Sequence, residues 1–333
     1  MGASTDLRLQ QLEQWLGELP GIGAFTMAPA SADASFRRYF RITLNAGNSL
    51  IAMDAPPDKE DCHPFVDITR RLEKAGLQAP HIHAADTDQG FLLLDDLGSR
   101  DYLQSLTPAT ADSLYQAAIT ALHKIQQADY QGLPAYDASL LQNELDLFTD
   151  WFLDTHLQID LDSRQRETLQ AIYRTLIDNA LQQPSVFVHR DYHSRNLMTT
   201  AEPPGIIDYQ DAVHGPLTYD LVSLLRDCYI DWPEPQVRAW ALGFHQTLRD
   251  RGALEDIDEA HFMRWFDLMG IQRHLKAIGI FSRLNHRDGK PGYLQDIPRT
   301  LGYVIRISRQ YTDTAALSEL IDTLDIPRQI NPS

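Results

Sequence analysis

Two short apolar runs constrain this chain most strongly, because each ends at once in an acid. Val186-Phe187-Val188 leads into His189, Arg190 and Asp191, and Ile206-Ile207 leads into Asp208. Asn196 stands five positions after Asp191. Apolar runs this short, bounded by polar residues, read as buried strands rather than helices. Two such strands would each carry an acid to one edge of a sheet, with an amide between them. Oxygen donors gathered in that way call for a cation, a phosphate, or both. Phosphoryl transfer from a nucleotide needs a carboxylate to accept the proton of the attacking hydroxyl, and oxygen ligands to hold Mg2+ on the phosphates. On that chemistry Asp191 is the base, Asn196 an amide ligand and Asp208 the principal metal ligand.

At 333 residues the chain exceeds the size at which one core usually stops growing, so two lobes are expected. The first is strand-rich. Ser35 to Leu44 and Ser49 to Met53 are strand-like runs joined by Asn45-Ala46-Gly47-Asn48, which is hairpin chemistry. Residues 81–86 and Phe91 to Leu94 read as two more strands, and Pro64 to Ala75 as a helix with Phe65, Ile68 and Leu72 on one face. An amphipathic helix, Asp6 to Leu19, precedes them. From about Pro108 helical spacing dominates, over 108–127, 139–155, 163–182, 216–228, 235–250 and 259–284. The expectation is an α+β, bilobal protein-kinase-like fold. It has a small antiparallel-sheet N-terminal lobe over 1–96 and a larger, mainly helical C-terminal lobe over 97–333.

The charge balance, 46 acids against 29 bases for a net of -17, argues against nucleic-acid or anionic-membrane partners. Cys62 and Cys228 are too few for a disulfide framework or a thiolate zinc site, and they suit a reducing cytosol. With no basic start followed by an apolar core at the N-terminus, and no apolar run near the length of a spanning helix, a cytoplasmic location is expected; the oligomeric state is left open by these features, with a monomer favoured.

His189-Arg190-Asp191 with Asn196 and then Asp208 resembles the catalytic and metal loops of protein kinases. The fuller pattern is His189-x-Asp191-x-His193-x-x-Asn196, then Ile206-Ile207-Asp208, then Gly215-Pro216-Leu217-Thr218-Tyr219-Asp220. It resembles the aminoglycoside-phosphotransferase and choline-kinase-like family, whose loop usually reads His-Gly-Asp. The resemblance implies ATP and Mg2+ as cosubstrates. It also implies supporting roles for His189, His193 and Asp220, the last accepting backbone N–H bonds from the catalytic loop.

Two departures stand out. The segment where kinases carry a Gly-rich loop is Ala32 to Arg41 and has no Gly-x-Gly, although Ser35 and Phe36 could present backbone N–H groups to phosphate. The third strand ends in Met53-Asp54 where a phosphate-holding lysine is usual, so Arg38 or Arg41 is expected to supply that charge. Glu60 and Glu73 are the alternative acidic partners for such a cation. Phe91-Leu92-Leu93-Leu94-Asp95-Asp96-Leu97-Gly98 resembles an inter-lobe hinge, with Asp96 and Leu97 pairing with the adenine edge.

The acceptor side is thinner. Glu144 and Trp151 are candidates for hydroxyl recognition and sugar stacking. Arg195 is a further substrate-binding candidate. Arg273 and His274, in a basic region with Lys276, Arg283, His286, Arg287 and Lys290, are candidates for an anionic substituent, since arginine recognises carboxylates well. The stretches GFLLLDDLG, HRDYHSRNLM, IIDYQDAVHGP and QRHLKAIGIFSRL resemble bacterial cell-wall-recycling kinases that phosphorylate the anomeric hydroxyl of N-acetylated amino sugars. That resemblance implies a small sugar acceptor and a sugar 1-phosphate product. An aminoglycoside or choline-type phosphotransferase and a regulatory pseudokinase are the competing readings.

Overall fold

Helix α1 (Leu7–Glu18) begins where the Asp6 carboxylate accepts the Leu9 amide at 3.0 Å, an N-cap that satisfies one of the orphan donors of a helix start. The computed structural model describes residues 6–31, 36–45 and 47–330; Ser35 lies outside them. Leu12 and Leu16 of α1 are fully buried against Phe40, Ile42, Ala52, Phe91 and Leu93, each contributing about 2 kcal/mol by area. Those five residues come from an antiparallel sheet of β1 (Phe25–Ser31), β2 (Arg38–Leu44), β3 (Ser49–Asp54), β4 (Ile82–Asp86) and β5 (Phe91–Asp95), in the order β1-β2-β3-β5-β4. Helix α2 (His63–Lys74) stands between β3 and β4 in the chain and buries Phe65, Ile68 and Leu72.

The β2–β3 hairpin turns at the expected tetrapeptide, where Gly47 takes φ 86° and donates to the Leu44 carbonyl at 2.9 Å. Strand β1 was not anticipated, because Pro29 interrupts its pattern. It survives as an edge strand, where a missing N–H costs least, with a register irregularity between Pro29 and Ser31.

Past Arg100 the chain is mainly helical, with α3 (Tyr102–Ser105), α4 (Ala111–Ile125), α5 (Ala138–Leu147) and α6 (Ser163–Leu181). Asp101, Asp137 and Asp162 cap three of these starts. The expected helix over 139–155 is regular only as α5; from Phe148 to His156 it widens into a π-helix.

Strand β6 (Ser185–Val188) is followed by β7 (Leu197–Met198), β8 (Gly205–Ile206) and β9 (Val213–Pro216). β6 pairs with β9, and β7 with β8, both antiparallel. The two acids therefore do not share one sheet edge, which corrects the expectation: two-residue strands close locally into their own hairpin. The chain ends through α7 (Tyr219–Leu225), α8 (Glu234–Asp250), α9 (Glu259–Asp288), α10 (Ile297–Ser308), α11 (Ala315–Thr323) and α12 (Ile326–Ile330). Helices α10 to α12 were not anticipated.

Two compact units result: Met1–Arg100 with Leu197–Asp211, and Asp101–Asn196 with Ala212–Ser333. The first runs four residues beyond the expected division, to Arg100, and takes in the β7–β8 hairpin. Gln78 explains the latter, since its carbonyl accepts the Ile206 amide at 2.8 Å and its side chain accepts the Thr200 hydroxyl at 2.6 Å. In the second unit α9 is buried on every side from Phe262 to Leu284, as befits a helix at the centre of a core. Gly279 permits this: a Cβ there would stand 2.4 Å from the Leu147 carbonyl carbon of α5. Among the described residues no helix is long and apolar enough to cross a membrane.

Candidate active site

The loop after β6 is held from beneath by Asp220, in the first turn of α7. One carboxylate oxygen accepts the His189 amide at 2.7 Å and the other the Arg190 amide at 3.0 Å. Burial pushes the Asp220 carboxyl up to about 7, while those two N–H bonds pull the other way. His189 is fully buried, its Nδ1 accepts the Asp191 amide at 3.2 Å, and its ring meets the Tyr192 edge.

Arg190 occupies the left-handed region at φ 77°, where a residue with a Cβ is strained. Its side chain is anchored: Nη2 donates to Glu144 Oε1 at 2.6 Å. The same Glu144 oxygen lies 2.8 Å from Lys276 Nζ, while Oε2 accepts from Tyr136 and, at 3.2 Å, from Gln272. Lys276 also donates to the Tyr219 hydroxyl at 2.9 Å. Glu144 is 4% exposed and surrounded by donors on its own unit. This corrects its assignment to the acceptor: it neutralises Arg190 and Lys276 inside the core.

The Asp191 carboxylate is different in kind. It is partly exposed, and no hydrogen bond reaches it among the described residues. Burial pushes its carboxyl up, but the positive charges of Lys276, Arg273 and Arg190 outweigh that and hold it below the usual carboxylate range. The Asp191 carbonyl accepts the His193 amide at 3.0 Å and the Asn196 side-chain amide at 3.0 Å. Burial likewise keeps the His193 ring neutral, and its edge faces Tyr229 at 5.4 Å. An ionised, unbonded carboxylate on a loop rigidified from both sides is what a base for a hydroxyl proton requires.

In the second unit Arg273 is 5% exposed, with one contact to Cys228 Sγ at 3.6 Å. His274 is corrected outright. Its Nε2 donates to the Arg226 carbonyl at 2.9 Å and its ring stacks on Tyr303 at 4.8 Å, so burial pushes it down to about 3 and it is a core histidine. Trp151 sits partly buried on the π-helical turn. Arg195 lies with its guanidinium carbon 3.6 Å above the Tyr229 ring.

In the first unit Asp208 follows β8 with φ 64°, and its Oδ1 accepts the Gln210 amide at 2.9 Å. Tyr209 behind it bonds Thr69 at 2.8 Å and packs on Phe65 of α2. The third-strand position holds an acid rather than a cation. Asp54 is fully buried, and it accepts from Arg38 Nε at 2.9 Å and from Arg8 Nε at 3.2 Å, while Arg38 also pairs with Asp6. Arg41 forms a fork on Asp96, Nε to Oδ2 at 2.6 Å and Nη2 to Oδ1 at 3.0 Å. Burial raises the Asp96 carboxyl, but this fork with bonds from Ser49 and the Gly98 amide brings it below its ordinary value. Arg38 and Arg41 are thus cations already matched by carboxylates. Glu60 pairs with Arg37 at 3.0 Å and Glu73 with His81, which settles their partners. The Phe36 ring is 64% exposed, and its amide donates to Glu60 at 3.3 Å. Leu97 packs against the Gly205 backbone, 2.9 Å from where a Cβ would stand.

Tyr136, Tyr219, Asp227 and Tyr229 were not singled out from the sequence. Only Asp227 carried a signal, seven residues after Asp220 and hence two helical turns on.

The profile of the phosphotransferase enzyme family (APH) matches residues 26–257. The chain is 45% identical over 335 aligned positions to a Pseudomonas aeruginosa protein named N-acetylmuramate/N-acetylglucosamine kinase, covering 96% of this chain and 98% of that one. A Neisseria meningitidis protein of the same name is 42% identical, with 93% and 94% covered. Among solved structures, a choline/ethanolamine kinase family protein from Mesorhizobium loti superposes with a TM-score of 0.61 at 13% identity, covering 94% of this chain and 100% of that one. An ADP-bound aminoglycoside phosphotransferase of type 2''-Ib superposes at 0.58 and 15% identity, covering 88% and 97%. The fold is thus protein-kinase-like, and the chain belongs to the phosphotransferase enzyme family as a kinase with a hydroxyl acceptor.

Proposed function

We propose that this kinase uses ATP and Mg2+ to phosphorylate the anomeric C1 hydroxyl of N-acetylmuramate and N-acetylglucosamine, in peptidoglycan recycling. The observation that carries the acceptor is the near full-length identity to proteins named for those two sugars. The chemistry is supported by Asp191, an ionised carboxylate with no hydrogen-bond partner among the described residues, on a loop pinned by Asp220. In this reading the acceptor hydroxyl gives its proton to Asp191 as its oxygen bonds phosphorus, and ADP leaves. His189, His193 and Asp220 hold the loop that presents Asp191.

Asn196 and Asp208 are proposed as Mg2+ ligands. Their donor chemistry fits a hard cation: one carboxylate, and one amide whose nitrogen is already committed to the Asp191 carbonyl. When bound, Mg2+ neutralises charge on the phosphate oxygens. Nucleotide binding is assigned to the first unit, through Ser35, Phe36 and the Asp96-Leu97 backbone, with Arg41 positioning that backbone through its fork on Asp96 and Arg38 held by Asp54 beside it in the sheet. Trp151 is kept as a stacking partner for the sugar.

The test is an assay with ATP and Mg2+ on each sugar, with phosphorus and proton NMR of the product. A sugar 1-phosphate is expected from both. A 6-phosphate would overturn the regiochemistry. Turnover of aminoglycosides or choline, with none of either sugar, would overturn the acceptor.

A further inference from the structure

Asp227, just past the end of α7, holds two segments together. Its Oδ2 accepts the Ser194 amide at 2.9 Å together with the Ser194 hydroxyl, and its Oδ1 accepts the Tyr229 amide at 2.9 Å. The clamp registers Arg195 of the catalytic loop against Tyr229, and the guanidinium carbon lies over that ring, 3.6 Å from its centroid. Stacking uses the face of a guanidinium and leaves its edge of N–H donors for a planar anion.

Arg195 is partly exposed, and beyond the Tyr229 ring no hydrogen bond or ion pair engages it among the described residues. The other cations of this region are mostly spent. Glu144 takes Arg190 and Lys276, Asp267 and Glu234 take Arg226, and Asp288 takes Arg287. Arg273 is another exception: it is buried, with a thiol contact and no ion pair among the described residues. The charges of Arg273 and Arg195 both bear on the His193 ring, and that of Arg273 on Asp191 as well, so two guanidiniums outside any ion pair among the described residues stand close to the catalytic loop.

We propose that Arg195, laid out on Tyr229 and reinforced by the charge of Arg273, receives the carboxylate of the acidic acceptor and so sets selectivity between the two sugars. This rests on the sugar-kinase reading above. N-acetylmuramate carries a lactyl carboxylate that N-acetylglucosamine lacks, so an arginine on that group discriminates between them and does nothing for the neutral sugar. Arg195 is then a specificity residue, and Asp227 its positioning residue.

The experiment measures kcat/KM for both sugars, and KM for ATP, in wild type, Arg195→Gln and Arg195→Lys. The ratio of the two kcat/KM values cancels any loss common to both acceptors. In Arg195→Gln that ratio should fall by about 10- to 100-fold, through KM for N-acetylmuramate, the usual range for a charge-assisted bidentate contact. Arg195→Lys keeps the charge without the fork and should fall between. An unchanged ratio overturns the proposal while leaving the sugar-kinase reading intact. Equal losses on both sugars with a raised KM for ATP also overturn it, and place Arg195 on the nucleotide phosphates instead. If wild type phosphorylates neither sugar, the underlying reading fails and this proposal with it.

Discussion

Arg190 donates to Glu144 at 2.6 Å while its own backbone holds φ at 77°. The side chain and the backbone of one residue therefore oppose each other, the first anchoring what the second strains. Glycine at this position suits the backbone but loses the anchor; alanine loses both. Arg190→Ala should be less stable than Arg190→Gly by about 1 kcal/mol, the cost of a Cβ in the left-handed region. Glu144→Gln should cost more than Arg190→Gly, about 3–5 kcal/mol, because it leaves the buried charges of Arg190 and Lys276 without their carboxylate. Urea unfolding of the three variants checks both orderings. Equal stability of the alanine and glycine variants would show that the turn imposes no strain.

Asp191→Asn is nearly isosteric and removes only the ability to take up a proton. Turnover should fall by about 100- to 10,000-fold, the usual worth of a positioned general base. Nucleotide affinity, read by calorimetry, should stay near wild type. Because nearby cations hold the Asp191 carboxyl below its ordinary value, it is already ionised at mildly acidic pH. The acid limb of the wild-type rate profile should accordingly not track its titration above pH 5, roughly one unit over an ordinary aspartate. Near-normal turnover in the asparagine variant would remove Asp191 as the base.

Much of this site was legible in sequence because its residues are close in the chain. His189 to Asn196 is a single loop, and Asp220 follows a glycine-led turn into a helix, so the resemblance to the phosphotransferase family could be read on a few closely spaced residues. The partners of Glu144 were illegible for the opposite reason. Tyr136 before α5, Arg190 after β6, and Gln272 with Lys276 on α9 come from three separate segments, and only tertiary packing brings their polar ends together on Glu144. Residues 144 and 274 therefore read as surface chemistry when the fold makes them interior. Pro29 concealed β1, and the two-residue strands β7 and β8 carry too little pattern to reveal that they pair with each other.

Arg41 and Asp96 make a two-bonded fork that also fixes the Gly98 turn, since Asp96 accepts the Gly98 amide at 2.9 Å and Arg41 reaches the Gly98 carbonyl at 3.0 Å. If the Asp96-Leu97 backbone binds adenine, loosening the fork should act on nucleotide affinity more than on chemistry. Arg41→Met should raise KM for ATP about tenfold, equivalent to 1.4 kcal/mol of binding, with a smaller change in kcat. Because the arginine is about a third exposed, the stability loss should stay within roughly 1 kcal/mol. A kcat loss with KM unchanged would count against the hinge assignment.

His123 and His274 give the fold a definite acid sensitivity. His123 stacks face to face on Phe244 at 4.3 Å with neither ring nitrogen bonded, and burial pushes it down to about 4; His274 is pushed down to about 3. Both folded values lie below the ordinary 6.5 of the unfolded chain. Folded histidines that refuse a proton contribute stability that is fully present above pH 6.5 and lost as pH falls toward the folded values. By pH 5 each should have cost about 2 kcal/mol, from 1.36 kcal/mol per pH unit. His123→Phe keeps the stack and removes the titration, so it should unfold at higher urea than wild type at pH 5 and close to it at pH 7. Asp220, whose carboxyl burial lifts to about 7, gains a proton over the same range and opposes the drop, so the variant decides: equal urea midpoints for His123→Phe and wild type at pH 5 would show that His123 is not excluded from protonation in the folded state.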